Sequence, residues 1–236
     1  MRRSLLAALA LTLLPATLLP LAASAQQIRL LAFGDSLTEG YGLRPDQGLV
    51  PRLQGWLRDR GHDVVVLNGG LSGDTTAGGR IRIGYSIARH QPDAVMVELG
   101  GNDLLAGLGW KGAEANLDSI LSQAGQDGLP LLLVGIANPR TSAADQADWA
   151  AIWPRLAGRH DALLYDNLYA PLFALPQSDW PGQLQADGVH ASAAGVERIV
   201  AGLGPKVEDL LARVEAARAT GQANALDSDP AIGPDD

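Results

Sequence analysis

The stretch IRLLAFGDSL, residues 28–37, is an apolar run that ends in a turn opened by Gly34 and carrying Ser36. Its apolar residues follow one another without alternation, which predicts a strand covered on both faces, as in a parallel sheet. The strand is predicted over 28–33. Working outward, similar runs predict further strands over 63–67, 94–99, 131–136 and 162–165.

Helical patterns lie between these strands. A first helix is predicted by one shared apolar face, followed by Gly61 as a stop signal, and the face comprises Leu49, Leu53, Trp56 and Leu57. Further helices are predicted over 76–90, 113–126, 144–158 and 193–217, the last with an optional break at Gly204-Pro205. This alternation predicts a single α/β domain with right-handed crossovers and helices on both sheet faces. Ligands then bind at the carboxyl ends of the strands.

Composition excludes several functions. The chain has 236 residues, 47 % of them apolar, which suffices for one core. Its net charge of −8 and the lack of a basic stripe argue against nucleic acid as a partner. The absence of cysteine excludes disulfides, thiolate metal sites, a cysteine nucleophile and a lipoprotein anchor.

The two ends of the chain differ from the middle. Residues 1–25 combine Arg2 and Arg3, an apolar stretch and the small-residue motif Ala23-Ser24-Ala25, which predicts a cleaved signal peptide and a periplasmic or secreted protein. An uncleaved membrane anchor is the alternative, and prolines inside the stretch argue against it. Residues 26–217 are predicted to form the domain. Residues 218–236 are predicted to be an acidic, disordered tail.

Two segments could supply a nucleophile and its base. Ser36 follows the first strand, where a serine projects toward the ligand edge, although an N-cap serine would look the same. Asp187 and His190 are three residues apart, and a helical turn there would put both side chains on one face. The carboxylate could then orient the imidazole that takes the serine proton. A capping or surface histidine is the alternative for His190.

Donors for an oxyanion follow the next two strands. Gly73 lies in LNGGLSGDT at 67–75, where the missing side chain lets a backbone N–H approach a substrate oxygen. Asn102 lies in GGND at 100–103, and its amide could donate to the same oxygen. Ordinary turn-forming roles are the alternatives for both residues, and Asp35 is expected to fix its turn by bonding nearby backbone.

Other patterns argue against cofactors. GLGWKG at 107–112 fits a dinucleotide fingerprint but does not directly follow a strand, and no acidic residue stands at the required distance. The histidines show no metal-binding spacing. No cofactor and no metal are therefore expected.

Taken together, these segments resemble the SGNH, or GDSL, hydrolase superfamily, most closely its bacterial thioesterase I, lysophospholipase and arylesterase branch. The blocks that carry the resemblance are FGDSLTEGYG at 33–42, LSGDTT at 71–76, ELGGND at 98–103 and DGVH at 187–190. The resemblance implies a flavodoxin-like three-layer α/β/α sandwich with a five-stranded parallel sheet in the order 2-1-3-4-5.

The resemblance also implies roles for residues. Ser36 would be the nucleophile, His190 the base and Asp187 the group that orients it. The backbone N–H groups of Ser36 and Gly73 and the amide of Asn102 would form the oxyanion hole. The acyl pocket would be lined by Leu104, Leu105 and Leu108.

Two segments depart from the branch. Residues 137–141 read ANPRT where the branch has a Pro-x-Asn-Tyr-Gly pattern, and Ala191-Ser192 follows His190 where Pro-Asn is usual. Chain-length preference therefore does not carry over. The predicted function is an exported serine esterase or thioesterase that hydrolyses aryl esters, lysophospholipids or acyl thioesters through an acyl-enzyme intermediate on Ser36. No stable membrane anchor is expected, and the oligomeric state is left open. The alternatives are a carbohydrate O-acetylesterase and a non-catalytic acyl-binding module.

Overall fold

The computed structural model describes residues 26–137 and 143–227. Their strands form one parallel sheet in the order β2-β1-β3-β4-β5, which confirms the predicted fold. Each strand lies close to its predicted position: β1 Ile28–Gly34, β2 Val64–Gly70, β3 Ala94–Glu98, β4 Leu131–Val134 and β5 Leu163–Tyr165.

Helices connect the strands, and the predicted helix over 76–90 is confirmed at both ends. Several short helices at the carboxyl side of the sheet were not predicted. The helices are α1 Ser36–Glu39, α2 Leu49–Arg58, α3 Thr76–His90, α4 Gly101–Leu105, α5 Trp110–Ala124, α6 Ala143–Arg159, α7 Ala170–Phe173, α8 Trp180–Gln183 and α9 Ala193–Asp227, with single 3₁₀ turns at Gln126–Gly128 and Gln177–Asp179.

The sheet separates two apolar cores. Leu30 and Ala32 of β1 pack on the side of α2, α7 and α9, whereas Leu31 and Phe33 pack on the side of α3, α5 and α6. All four side chains have no exposed surface. Because successive strand residues point to opposite faces, a strand buried on both faces must be apolar throughout.

Helix α9 departs from its prediction in two ways. It continues through Pro205, so the break considered at Gly204-Pro205 is absent. Its buried stripe runs on across the proline through Leu203, Val207 and Leu210, and this packing offsets the hydrogen bond that proline cannot make. The helix ends at Asp227 rather than at the predicted boundary of 217. The predicted signal peptide at 1–25 and residues 228–236 of the predicted tail lie outside the described residues.

The far part of α9 reaches the amino end of the sheet. Arg218 donates to the carbonyl oxygen of Gln26, just before β1, and pairs with Asp93 just before β3 at 2.9 Å. These contacts lie at the amino ends of the strands, opposite their carboxyl ends. Among the described residues, none of the helices combines the length and apolar character that crossing a membrane requires.

Candidate active site

Ser36 begins α1 immediately after β1. The N-cap of this one-turn helix is Asp35, whose carboxyl Oδ1 accepts from the backbone N–H of Leu37 at 3.0 Å. Gly40 ends α1 at φ 93°, a conformation that favours glycine. Asp35 therefore fixes its turn through nearby backbone, as predicted.

The side chains of Ser36, His190 and Asp187 form a continuous chain of hydrogen bonds. His190 Nδ1 lies 2.6 Å from Asp187 Oδ2, and His190 Nε2 lies 2.9 Å from Ser36 Oγ. A carboxylate can only accept, so the imidazole carries its hydrogen on Nδ1 and Nε2 accepts from the serine. This is the arrangement in which an imidazole can deprotonate a serine hydroxyl.

The backbone around His190 is a turn, and the prediction of a helical turn there is wrong. Asp187 Oδ1 accepts from the backbone N–H groups of Val189 at 2.9 Å and His190 at 3.0 Å, and Gly188 has φ 66°. The side chain of Asp187 thus folds its own backbone. Partial burial would raise the pKa of Asp187, but the hydrogen bond from His190 and those from the two backbone groups outweigh it and lower the pKa.

Neighbouring residues fix the position of His190. The ring of Tyr41 lies 4.7 Å from the imidazole, centroid to centroid. The buried Tyr169 donates its hydroxyl to the carbonyl oxygen of Val189 at 2.7 Å, and burial raises its pKa, so it stays a donor. Gln185 donates its backbone N–H to the carbonyl oxygen of His190 at 2.8 Å. None of these three residues was assigned a role from the sequence.

Two of the predicted oxyanion donors, Gly73 and Asn102, lie in tethered turns. Asn102 Nδ2 donates to Asp35 Oδ2 at 3.1 Å and to the carbonyl oxygen of Asp74 at 2.8 Å, so its amide joins the turns after β1, β2 and β3. Gly73 precedes the tethered Asp74 and has φ 79°, and a Cβ there would meet open space. Gly73 is thus adjacent in sequence to a residue bound by Asn102, although it does not line the cavity beside Ser36.

Two buried carboxyl groups lie behind Ser36. Burial raises the pKa of Asp35 to about 6, and burial together with the charge of Asp35 raises the pKa of Glu98 well above its ordinary value. Glu98 is fully buried and accepts from Thr38 Oγ1 at 2.7 Å. Glu98 is not among the residues predicted from the sequence. A charged residue at the end of an otherwise apolar strand is the signal that could have found it.

A cavity of about 560 Å³ opens beside Ser36, Asn102 and His190. Of the three leucines predicted to line an acyl pocket, Leu104 and Leu105 line this cavity, whereas Leu108 is 58 % exposed and lies outside the lining. Most of the remaining wall is apolar and comprises Leu37, Ile136, Ala137, Tyr169, Phe173, Leu175, Trp180, Leu184 and Val189.

A second cavity of about 440 Å³ lies next to the first. The two share four lining residues, and Trp149 and Trp153 of α6 contribute to the second. The shared residues are Leu104, Ile136, Ala137 and Phe173.

The two departures from the family pattern border this region. Ala137 lines both cavities, while residues 138–141 lie outside the described residues. Ala191 is buried, and Ser192 Oγ accepts from the N–H of Gly195 in the first turn of α9. Ser192 therefore caps the start of α9.

Comparisons with known proteins agree with this geometry. The sequence model of the GDSL-like Lipase/Acylhydrolase family matches residues 32–198. Esterase TesA of Pseudomonas aeruginosa is 34 % identical over 183 residues, which cover 77 % of this chain and 89 % of the relative. An arylesterase of Vibrio mimicus is 33 % identical over 170 residues, covering 72 % and 82 %.

Solved structures give the same result. The crystal structure of AlinE4, an SGNH-hydrolase family esterase, is 38 % identical and covers 80 % of this chain and 99 % of its own, with a TM-score of 0.64. The crystal structure of TesA is 32 % identical and covers 77 % and 99 %, with a TM-score of 0.71. This chain therefore belongs to the GDSL-like lipase/acylhydrolase family and is a serine ester hydrolase of the SGNH type.

Proposed function

We propose that this protein is an exported esterase and thioesterase that hydrolyses aryl esters, lysophospholipids and acyl thioesters through an acyl-enzyme intermediate on Ser36. The observation that carries the proposal is the hydrogen-bonded chain from Asp187 through His190 to Ser36, which opens onto a largely apolar cavity. Ser36 would be the nucleophile, His190 the base and Asp187 the residue that orients it.

The reaction would proceed in two halves. Ser36 Oγ attacks the acyl carbonyl carbon while its proton passes to His190 Nε2. The tetrahedral intermediate collapses, the bond to the alcohol or thiol breaks, and His190 returns the proton to that leaving group. Water then attacks the acyl-enzyme, again with His190 as base, and releases the carboxylic acid and free Ser36.

The oxyanion of each intermediate would accept from the backbone N–H groups of Ser36 and Gly73 and from the side-chain amide of Asn102. Both hydrogens of the amide are engaged in the free enzyme, by Asp35 at 3.1 Å and by Asp74 at 2.8 Å. The longer bond to Asp35 is the one that the oxyanion would share. The donor is thus held in place before substrate arrives.

The walls of the cavity support acyl chains as the recognised group. Leu104, Leu105, Phe173 and Trp180 supply a continuous apolar surface that suits an acyl chain. The second cavity beyond Leu104 offers a further 440 Å³. Medium and long acyl chains would therefore be turned over better than acetate.

Export of the protein is supported by the sequence pattern of residues 1–25. The basic start, the apolar stretch and the motif Ala23-Ser24-Ala25 would direct cleavage before Gln26. The enzyme would then act in the periplasm or outside the cell. Mass determination of the protein recovered from the exporting host tests this, and an uncleaved amino terminus would contradict it.

The central experiment measures hydrolysis of p-nitrophenyl esters from acetyl to palmitoyl by residues 26–236, with an acyl thioester assayed in parallel. Ser36→Ala should remove several orders of magnitude of kcat, whereas Ser119→Ala on α5 serves as the matched control and should retain activity. Turnover of acetate alone would favour an O-acetylesterase. Activity that survives in Ser36→Ala would overturn the assignment of the nucleophile.

A further inference from the structure

Glu98 is a buried acid that takes no part in the reaction proposed for Ser36 and His190. It ends β3 beside Gly34 of β1 in the sheet register, and its side chain has no exposed surface. A buried carboxyl costs free energy that an apolar residue would not, particularly when ionised. Its presence at the end of an otherwise apolar strand therefore requires a specific role.

The contacts of Glu98 are with the turn that carries Ser36. Its Oε2 accepts from Thr38 Oγ1 at 2.7 Å, and Thr38 is itself fully buried in α1. A Cβ on Gly34 would lie 2.6 Å from Glu98 Oε2, so the glycine makes room for the carboxyl. One side chain of β3 thus bonds to Thr38 at the end of this turn and occupies the space beside Gly34 at its start.

The second oxygen of Glu98 indicates its charge. Oε1 has no hydrogen-bond partner among the described atoms, and the Asp35 carboxyl lies in the same buried region. Two buried carboxylates side by side repel, so one of them keeps its proton. Burial raises the pKa of Asp35 only to about 6, whereas burial and the charge of Asp35 raise the pKa of Glu98 well above its ordinary value. Glu98 therefore holds its proton more tightly than Asp35 does.

We propose that Glu98 is a positioning residue: its carboxyl, bound by Thr38, fixes the turn that presents Ser36 to His190 and Asp35 to Asn102. The inference rests on the proposed role of Ser36 as nucleophile. Glu98 lies behind the reacting atoms and does not line the cavity, so it acts through the turn rather than on the substrate.

The decisive variant is the double substitution Glu98→Leu with Thr38→Val. Replacing both partners of a buried hydrogen bond by apolar groups of similar shape leaves stability nearly unchanged, whereas removing one partner leaves the other unsatisfied. We expect the thermal unfolding midpoint to stay near that of the wild type. We expect kcat to fall about 10- to 100-fold with little change in KM, because Ser36 Oγ is no longer held in hydrogen-bonding position beside His190 Nε2.

Conservative variants provide the matched controls. Glu98→Gln keeps the shape and an acceptor for Thr38, and Thr38→Ser keeps the donor. Each single variant should therefore retain most of the wild-type kcat. Thr38→Val alone removes only the donor and should lower kcat with KM unchanged. If the double variant fails to fold, the comparison of Thr38→Val with Thr38→Ser provides the test.

The rate at which a fluorophosphonate labels Ser36 gives a readout independent of acyl binding. We expect the labelling rate of the double variant to fall by about the same factor as its kcat. Wild-type kcat and labelling in a folded double variant would overturn the role of Glu98 and leave the proposed function intact. A wild-type protein that is not labelled at Ser36 would instead contradict the proposed function.

Discussion

The side-chain amide of Asn102 donates to the carboxyl of Asp35 across 3.1 Å, from Nδ2 to Oδ2. This bond joins the start of α4 to the N-cap of α1, two elements that follow different strands. The residue preceding the proposed nucleophile therefore orients the proposed oxyanion donor. Substitutions at either position should affect the same chemical step.

Removal of the Asn102 amide should lower kcat more than it raises KM. Asn102→Ala is expected to reduce kcat about 100- to 1,000-fold, because the donor acts chiefly on the oxyanion of the transition state. Steady-state kinetics on a butyryl ester measures the effect. Asn116→Ala on α5 removes the same side chain outside the cavity lining and should leave kcat near wild type. A change confined to KM in Asn102→Ala would make it a binding residue instead.

Asp35 should make the folded protein less stable as the pH rises from about 4 to about 7. Burial raises its pKa from 3.8 to about 6, so in this window the folded protein retains a proton that the unfolded chain has lost. The free energy of unfolding then falls with pH, by about 3 kcal/mol from this group. Asp35→Asn should lack that part of the decline.

Chemical unfolding at pH 4, 5, 6 and 7 measures the decline for wild type and variant. Asp59→Asn alters an exposed carboxyl and should keep the wild-type slope. Parallel curves for wild type and Asp35→Asn would contradict the raised pKa. The same variant has one acceptor oxygen where Asp35 uses two, for the N–H of Leu37 and the amide of Asn102, so one of these donors loses its acceptor and kcat should also fall.

The cavity beside α6 should accept the distal part of long acyl chains. Ala150 lines this cavity, and Ala150→Phe should fill part of it. We expect kcat/KM for a palmitoyl ester to fall about tenfold or more and that for a butyryl ester to stay unchanged. Ala147→Phe, one turn earlier on the same helix and outside the cavity lining, is the matched control. An unchanged chain-length profile in Ala150→Phe would exclude the second cavity as an acyl site.

Arg82 should be important for stability because it ties together the turns after β1 and β2. Its guanidinium donates to Asp74 Oδ2 at 2.6 Å and to the carbonyl oxygens of Gly69 and Gly34, and it stacks 3.8 Å from the ring centre of Phe33. Arg82→Met leaves the buried Asp74 unpaired and should lower the free energy of unfolding by about 3–5 kcal/mol.

Urea unfolding at pH 7 provides the measurement for Arg82→Met. Arg80→Met on the exposed side of α3 should change the free energy of unfolding by less than about 0.5 kcal/mol. Equal stability of the two variants would show that the Arg82 contacts contribute nothing net.

Sequence reasoning predicted the sheet well because both faces of it are buried. Leu30 packs in one core and Leu31 in the other, so both positions must be apolar. The strands therefore appear in the sequence as continuous apolar runs. The unbroken passage of α9 through Pro205 was not predictable in this way. It depends on packing against α2 and the sheet, which residues distant in sequence provide.

Ser36 and His190 could be picked out from the sequence because each stands in a short local motif with characteristic neighbours. The walls of the cavity were not predictable, since Phe173 and Trp180 lie on the one-turn helices α7 and α8, whose positions depend on tertiary contacts. Glu98 was missed because a single charged residue at the end of an apolar run does not change the strand prediction.

The bonds from Arg218 to Gln26 and Asp93 lie at the amino ends of the strands, while Ser36 lies at the carboxyl ends. A tether attached before Gln26 or beyond Arg218 would thus leave the molecule from the face turned away from the cavity. Coupled to a bead or an electrode through either attachment point, the enzyme would present its cavity mouth outward to dissolved esters.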